Sequence, residues 1–233
     1  MFSGIAKKIF FILILLSFFT LSAEKKFKVV IDPGHGGTNT GAVSGKVSEK
    51  ELTLALAAKI RAFFKKHPVP EVEIIFTRTD DSSVSIKERA ELIEQHQPDL
   101  FISLHFNSQK VIATNRGFEI YYPPDSLSGD SASAALSYDK VNRSFYYGSV
   151  FRDLYFKANL HTTWKLPLNM FSQKYNFGLF DDTAVPGLLL EIAYISSPED
   201  RACIENPLFT ADVAWYIYDT IVKLSSKTKQ LKK

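Results

Sequence analysis

The sequence predicts a single α/β domain: a twisted, mostly parallel sheet of about six strands with helices on both faces. Three observations carry this. Short apolar runs alternate with amphipathic stretches at helical spacing along most of the chain. The length of 233 residues suits one domain, and a hydrophobic content of 45% suits a packed core. The run V-V-I-D-P-G-H-G-G, Val29 to Gly37, ends an apolar strand abruptly in proline and glycine, the kind of break that displays chemistry at a strand end.

The elements follow in order. Phe27 to Asp32 reads as a buried strand. Glu49 to Lys66 reads as a helix, with Leu52, Leu56, Ile60 and Phe63 or Phe64 on one stripe, stopped by His67-Pro68-Val69-Pro70. Val72 to Phe76 is a second strand. Ser85-Ile86-Lys87-Glu88 has the pattern of a capping box and opens a helix to about Gln95. Asp99 to Leu104 is a third strand, ending at His105, and Gly117 to Tyr122 a fourth. Pro123 to Asp139, rich in Ser, Asp and Pro, reads as a surface loop. Lys140 to Leu160 reads as helical, and Phe171 to Phe180 as irregular with a short strand near its end. Gly187 to Ile192 is another buried strand. Ser197 precedes Pro198 as a cap precedes the first helical position, and a last amphipathic helix runs from about Phe209 to Leu224.

The N-terminus stands apart. Lys7 and Lys8 precede an apolar run from Ile9 to Phe19, and Ser22-Ala23 offers small residues at a cut. Residues 1–23 therefore read as a secretory signal, with an uncleaved anchor as the alternative. This leaves a domain over residues 24–225 and a basic tail over 226–233, and it places the protein outside the cytoplasm. Loss of Lys7 and Lys8 takes the 28 basic residues to 26 against 25 acids, a net charge of +1. That near-neutral balance argues against a nucleic-acid partner. A single cysteine, Cys203, excludes an intrachain disulfide and a cysteine-based metal cage.

Four residues fall at comparable places: His35 after the first strand, His105 at the end of the third, Glu191 after Leu188-Leu189-Leu190, and Glu49 at the start of the helix reached from His35 through a glycine-rich loop. Parallel strands would bring the first three to one sheet edge. Two imidazoles and one carboxylate make a catalytic zinc set that keeps a position for water. Glu191, an acid after three leucines, suits a proton carrier with weakened ionisation. Glu49 and Glu51 both compete for the metal. Ser48-Glu49-Lys50-Glu51 has the capping-box pattern, which would turn Glu51 back onto the Ser48 amide and leave Glu49 free. The loop lacks the Lys-Ser/Thr of a phosphate-binding loop. Its glycines would let a bulky substrate approach the metal. His67 and His96, at helix ends, read as structural; His161, in a polar and partly aromatic stretch, is left open to substrate.

With V-V-I-D-P-G-H-G-G, the segments S-E-K-E-L-T-L-A-L-A, F-T-R-T-D-D-S-S-V-S-I-K-E-R, D-L-F-I-S-L-H-F-N-S, R-G-F-E-I-Y-Y and L-L-L-E-I-A-Y-I-S-S-P-E-D make the chain resemble the zinc-dependent N-acetylmuramoyl-L-alanine amidases over residues 27–224. The resemblance implies one zinc ion per chain, held by His35, Glu49 and His105, with Glu191 catalytic and Asn107 beside the metal. Arg78 and Arg89 match family positions, in structural ion pairs or in substrate contact. Phe106 departs from the family's more usual alanine and would narrow the cleft or wall it. The implied activity is cleavage of peptidoglycan between the lactyl group of muramic acid and L-alanine of the stem peptide, by a monomer, with an activator protein left unnamed. A secreted zinc peptidase acting within the stem, and a wall-binding module without catalysis, are the rival readings.

Overall fold

The computed structural model describes residues 25–109, 115–124, 131–172 and 177–231. Residues 1–23, expected as a signal segment, lie outside them. Eight strands and seven helices follow one another among the described residues: β1 (Phe27–Pro33), β2 (Val43–Ser44), β3 (Val47–Ser48), α1 (Glu49–Lys66), β4 (Val72–Phe76), α2 (Ile86–His96), β5 (Leu100–Asn107), β6 (Phe118–Tyr122), α3 (Ser131–Lys157), α4 (Leu160–Thr163), β7 (Leu168–Ser172), α5 (Gly178–Asp182), β8 (Gly187–Tyr194), α6 (Pro198–Ile204) and α7 (Pro207–Leu231).

Six strands form one sheet in the order β4-β1-β5-β8-β6-β7, and β2 and β3 pair as a small ribbon. The pairs β4–β1, β1–β5, β5–β8 and β6–β7 are parallel; β6 runs antiparallel to β8. Alternation along each strand splits the side chains between two cores. Val29, Ile31, Leu100, Ile102, Leu104, Leu188, Leu190 and Ile192 face α1, α3 and α7. Val30, Phe101 and Leu189, one residue out of step, face α2 and α5. Helices therefore cover both faces, as the continuous apolar strands require. No helix among the described residues is long and apolar enough to cross a membrane.

Three segments differ from the sequence expectation. Ser131 to Asp139 is the start of α3 rather than loop, in keeping with the helix preference of its alanines; residues 125–130 of the expected loop lie outside the described set. The segment around Phe171 holds its strand at the beginning, as β7, where Leu168 and Met170 pack on the larger core; its other end is the helix α5. The last helix runs on through the lysine-rich stretch to Leu231, so the expected basic tail is largely helical.

Candidate metal centre

Strand parity decides which residues share the site. Asp32, Ser103 and His105 alternate with the residues of the larger core, so they fall on the α2/α5 face of the sheet, and Glu191 does so on β8. Phe106, one residue beyond His105, flips to the opposite face and is buried in the larger core. It is a packing residue, not a cleft wall.

His35 leaves β1 with φ of +60°, a left-handed conformation costly for a residue with a Cβ. The surrounding polar groups hold it there. Arg89 donates to the Pro33 carbonyl at 2.7 Å, to the His35 carbonyl at 2.5 Å and to Asp32 Oδ1 at 2.5 Å. Arg78 donates to the carbonyls of Pro33, Gly34 and Lys50 at 2.9, 2.8 and 3.0 Å. Asp32, 1% exposed, also accepts from the hydroxyls of Thr77 and Ser103. Both arginines are thus buried scaffolding for the loop. Asn39 Oδ1 stands 3.0 Å from His35 Nδ1 and orients the ring, a partner the sequence reading missed.

Glu49 enters from α1. Its Oε2 lies 3.0 Å from His35 Nε2 and its Oε1 lies 2.9 Å from His105 Nδ1. Backbone amides of Ala42 and Phe106 also donate to this carboxylate, at 2.9 and 3.1 Å. Burial alone would raise its pKa, but the hydrogen bonds from His105 and His35 hold it well below the usual carboxylate range. Burial likewise pulls His35 down, while the Glu49 hydrogen bond and charge carry it above its ordinary value.

The capping argument for Glu49 needs correction. The Ser48 side chain makes no cap hydrogen bond; it donates instead to Glu51 Oε2 at 2.6 Å. The first turn of α1 is closed by main chain, with Glu49 N donating to the Ala42 carbonyl and Lys50 N to the Thr40 carbonyl. Ser85, with the same S-x-x-E spacing, forms the full box with Glu88. The glycines also serve differently from the expectation. A Cβ on Gly34 would lie 2.4 Å from the His105 ring, and one on Gly41 would lie 2.5 Å from Glu49 Oε2. They make room for the ligands themselves.

One potential ligand atom from each of His35, Glu49 and His105 falls within 4.8 Å of the others. Two imidazole nitrogens and a carboxylate oxygen at that spacing fit a divalent metal of the zinc type. Glu191 pairs with His105 across the parallel β5–β8 ladder. It is 8% exposed, and its Oε2 is buried with no hydrogen-bond partner among the described residues. Burial, then the charges of Glu49 and Glu119, raise its pKa well above the ordinary value. The ladder shifts register between His105 and Asn107, and the Asn107 amide donates to Glu119 at 3.0 Å. Glu119 is the second residue the sequence reading missed; an acid between Phe118 and Ile120 in a buried strand was the available signal. The other histidines stay outside the cluster. The carbonyls of His67 and His96 accept from Tyr218 and Lys28, and His161 packs edge-on against Phe156. A cavity of about 320 Å³ opens beside His35 and His105, walled by Val84, Ile86, Phe177, Leu179 and Phe180.

Comparison with known proteins bears on this geometry. The family model described as N-acetylmuramoyl-L-alanine amidase matches residues 29–223. The probable N-acetylmuramoyl-L-alanine amidase AmiB of Haemophilus influenzae is 25% identical, covering 97% of this chain and 59% of its own length. The N-acetylmuramoyl-L-alanine amidase CwlM of Bacillus licheniformis is 28% identical, covering 80% and 64%. The chain thus spans about three fifths of these two relatives. Among solved structures, the catalytic domain of the amidase CwlV from Bacillus (Paenibacillus) polymyxa superposes with a TM-score of 0.66 at 31% identity, over 84% of this chain and 97% of that one. The match runs through β1, α1, β5 and β8, the four elements that carry His35, Glu49, His105 and Glu191, and the chain belongs to the N-acetylmuramoyl-L-alanine amidase family.

Proposed function

We propose that this chain is a zinc-dependent amidase of peptidoglycan, exported from the cytoplasm, that cleaves between the lactyl group of N-acetylmuramic acid and L-alanine of the stem peptide. The carrying observation is the buried Oε2 of Glu191, without a hydrogen-bond partner among the described residues, beside the His35–Glu49–His105 cluster. An orphaned buried carboxyl costs stability, and its place next to three ligand-type groups gives that cost a chemical use.

His35, Glu49 and His105 would hold the ion, with Asn39 and the two buried arginines fixing the first imidazole and its loop. Zinc at such a site polarises a carbonyl and brings a bound water to a pKa of about 7. Glu191 takes a proton from the attacking water at a carboxylate oxygen. It returns that proton to the amide nitrogen as the C–N bond breaks, leaving a lactyl carboxylate and a free alanine amine. The adjoining cavity, apolar on the α2/α5 side, gives a substrate room beside His35 and His105.

The test is mass spectrometry of muropeptides after digestion with the metal-loaded protein. Intact stem peptides with a free N-terminal alanine are expected, and none after chelation. Cleavage inside the stem would instead establish the peptidase reading. Glu191→Ala should keep its zinc and lose hydrolysis by a factor of about 10²–10⁴, the range of general acid–base catalysis; full activity in that variant refutes the assigned role.

A further inference from the structure

The face of the sheet that carries the site runs two strands beyond the groups the chemistry uses. Across the ladders, His105 on β5 pairs with Glu191 on β8, Glu191 with Glu119 on β6, and Glu119 with Asn169 on β7. The next row on the same face runs Ser103, Leu189, Tyr121, Phe171. Leu168 and Met170 pack on the larger core, so Asn169 and Phe171 project from the opposite face, the one that carries Glu191. β7 is the edge strand of the sheet. Asn169 is exposed there, and Phe171 is 42% exposed. The Phe171 ring stacks on Tyr121, with centroids 5.4 Å apart and planes 30° from parallel. Tyr121 is itself held in place: its hydroxyl donates to Glu119 Oε2 at 2.8 Å, and the Phe177 ring lies 5.8 Å from its own. Phe177 walls the cavity beside His35 and His105. The three rings thus form an aromatic shelf from that cavity to the edge of the sheet.

The geometry points to this shelf as a carbohydrate subsite: Phe171, seated on Tyr121, packs against the C–H face of an N-acetylated sugar ring, and Asn169 meets the polar rim of that ring. A pyranose face of C–H groups gains dispersion contact and sheds water on an aromatic plane. An amide side chain both donates and accepts, as hydroxyls and an acetamido group require. Charge selects the sugar over the peptide. The side chains that β6 and β7 turn to this face are Glu119, Tyr121, Asn169 and Phe171. None is a cation, so they offer no partner to the carboxylates of a stem peptide. A strand of N-acetylated sugars, its lactyl carboxyl tied up in the amide, is neutral. Reach agrees. Neighbouring strands lie about 4.8 Å apart, which puts Asn169, two strands from Glu191, roughly 10 Å away. That is far enough to hold the sugar next to the muramic acid whose lactyl amide is cut. The inference rests on the amidase reading for the substrate that the shelf receives.

The experiment is calorimetric titration of the zinc-loaded chain with two probes: the peptide-free disaccharide of N-acetylglucosamine and N-acetylmuramic acid, and the free stem peptide. Phe171→Ala should weaken the disaccharide about tenfold, the upper end of what one aromatic contact supplies. Asn169→Ala should weaken it about fivefold, the scale of one hydrogen bond. The stem peptide should bind both variants as it binds the parent. Both side chains are exposed, so melting temperatures should hold; should Phe171→Ala melt early, Phe171→Leu, which keeps apolar bulk without a ring plane, takes its place. A disaccharide that does not bind the parent, or binds parent and variant equally, overturns the inference. So does a loss confined to the stem peptide, which would lay the peptide on the shelf. Sedimentation velocity on the same proteins covers a second copy as occupant: a parent dimer that Phe171→Ala dissociates, with disaccharide binding unchanged, overturns the inference too. Binding needs no turnover. A protein inert on peptidoglycan whose Phe171 variant loses the disaccharide would refute the amidase reading and keep the shelf, and an active amidase with an idle Phe171 would do the reverse.

Discussion

Glu49 and Glu191 stand on two sides of one site and are buried alike, yet their carboxyls are shifted in opposite directions. On the cradle side, formed by the loop after β1, α1 and β5, two imidazoles and two backbone amides surround Glu49. On the β6–β8 side Glu191 faces another carboxylate and has an oxygen without a partner among the described residues. Partners, not burial, decide which acid carries charge. The two sides are also tied differently. The cradle is held by hydrogen bonds to main-chain carbonyls, from Arg78, Arg89 and the first amides of α1. The β6–β8 side is held by side chains converging on Glu119.

The largest effect should come from uncharging the cradle. Glu49→Gln removes the anion between His35 and His105 and should weaken zinc by more than the roughly 100-fold that loss of an outer hydrogen-bond partner costs. Competition with a chromogenic chelator measures it; parent affinity would mean that Glu49 is no ligand. The pH dependence follows from His35, which holds its proton more tightly in the metal-free fold than in the unfolded chain. Metal must displace that proton, so affinity should fall about tenfold per pH unit below the raised value for that one group. Metal-free stability runs the other way. The raised His35 contributes fully below its unfolded value of 6.5 and the contribution fades as pH rises through its folded value. Melting curves of the metal-free protein should show this loss as pH rises past 6.5, and Glu49→Gln should remove it.

A second, smaller effect separates scaffold from chemistry. Arg89→Ala leaves Asp32 buried without its cation, with only the Thr77 and Ser103 hydroxyls still donating. Breaking a buried pair in this way costs about 3–5 kcal/mol, read as a shift in the denaturant midpoint. The left-handed His35 also loses the donor to its carbonyl, so zinc affinity should drop with stability. Unchanged stability would contradict the cradle argument.

These contrasts mark what a sequence can reveal about such a site. The parallel strands and the zinc-type ligand set were legible because strand ends concentrate chemistry. Glu191 was legible because an acid after three leucines demands a reason. Glu119 was not, since its meaning lies in an antiparallel register with β8 that no local pattern encodes. Phe106 was misread for want of a parity argument along β5. The glycines were recognised as necessary but assigned to substrate; the clashes at Gly34 and Gly41 are with the ligands.

The smallest predicted effect tests whether the cradle is built from backbone. Ser48 and Ser85 precede helices with the same S-x-x-E spacing, and local chemistry treats them as equals. In the fold they are not. Ser85 Oγ accepts from the Glu88 amide at 3.2 Å and Glu88 answers with the Ser85 amide at 2.7 Å. Ser85→Ala should therefore cost about 1 kcal/mol, the usual value of a lost cap. At Ser48 the carbonyls of Ala42 and Thr40 already take the first amides of α1, so Ser48→Ala forfeits only its bond to Glu51. Its cost should stay within about 0.5 kcal/mol, as for substitutions that break no cap. Paired denaturant melts of the two variants measure the difference. Equal losses would mean that Ser48 caps α1 after all and that the loop carbonyls only accompany it. A loss confined to Ser85 would mean that the glycine-rich loop, already mounting His35, also sets the helix end from which Glu49 reaches both histidines.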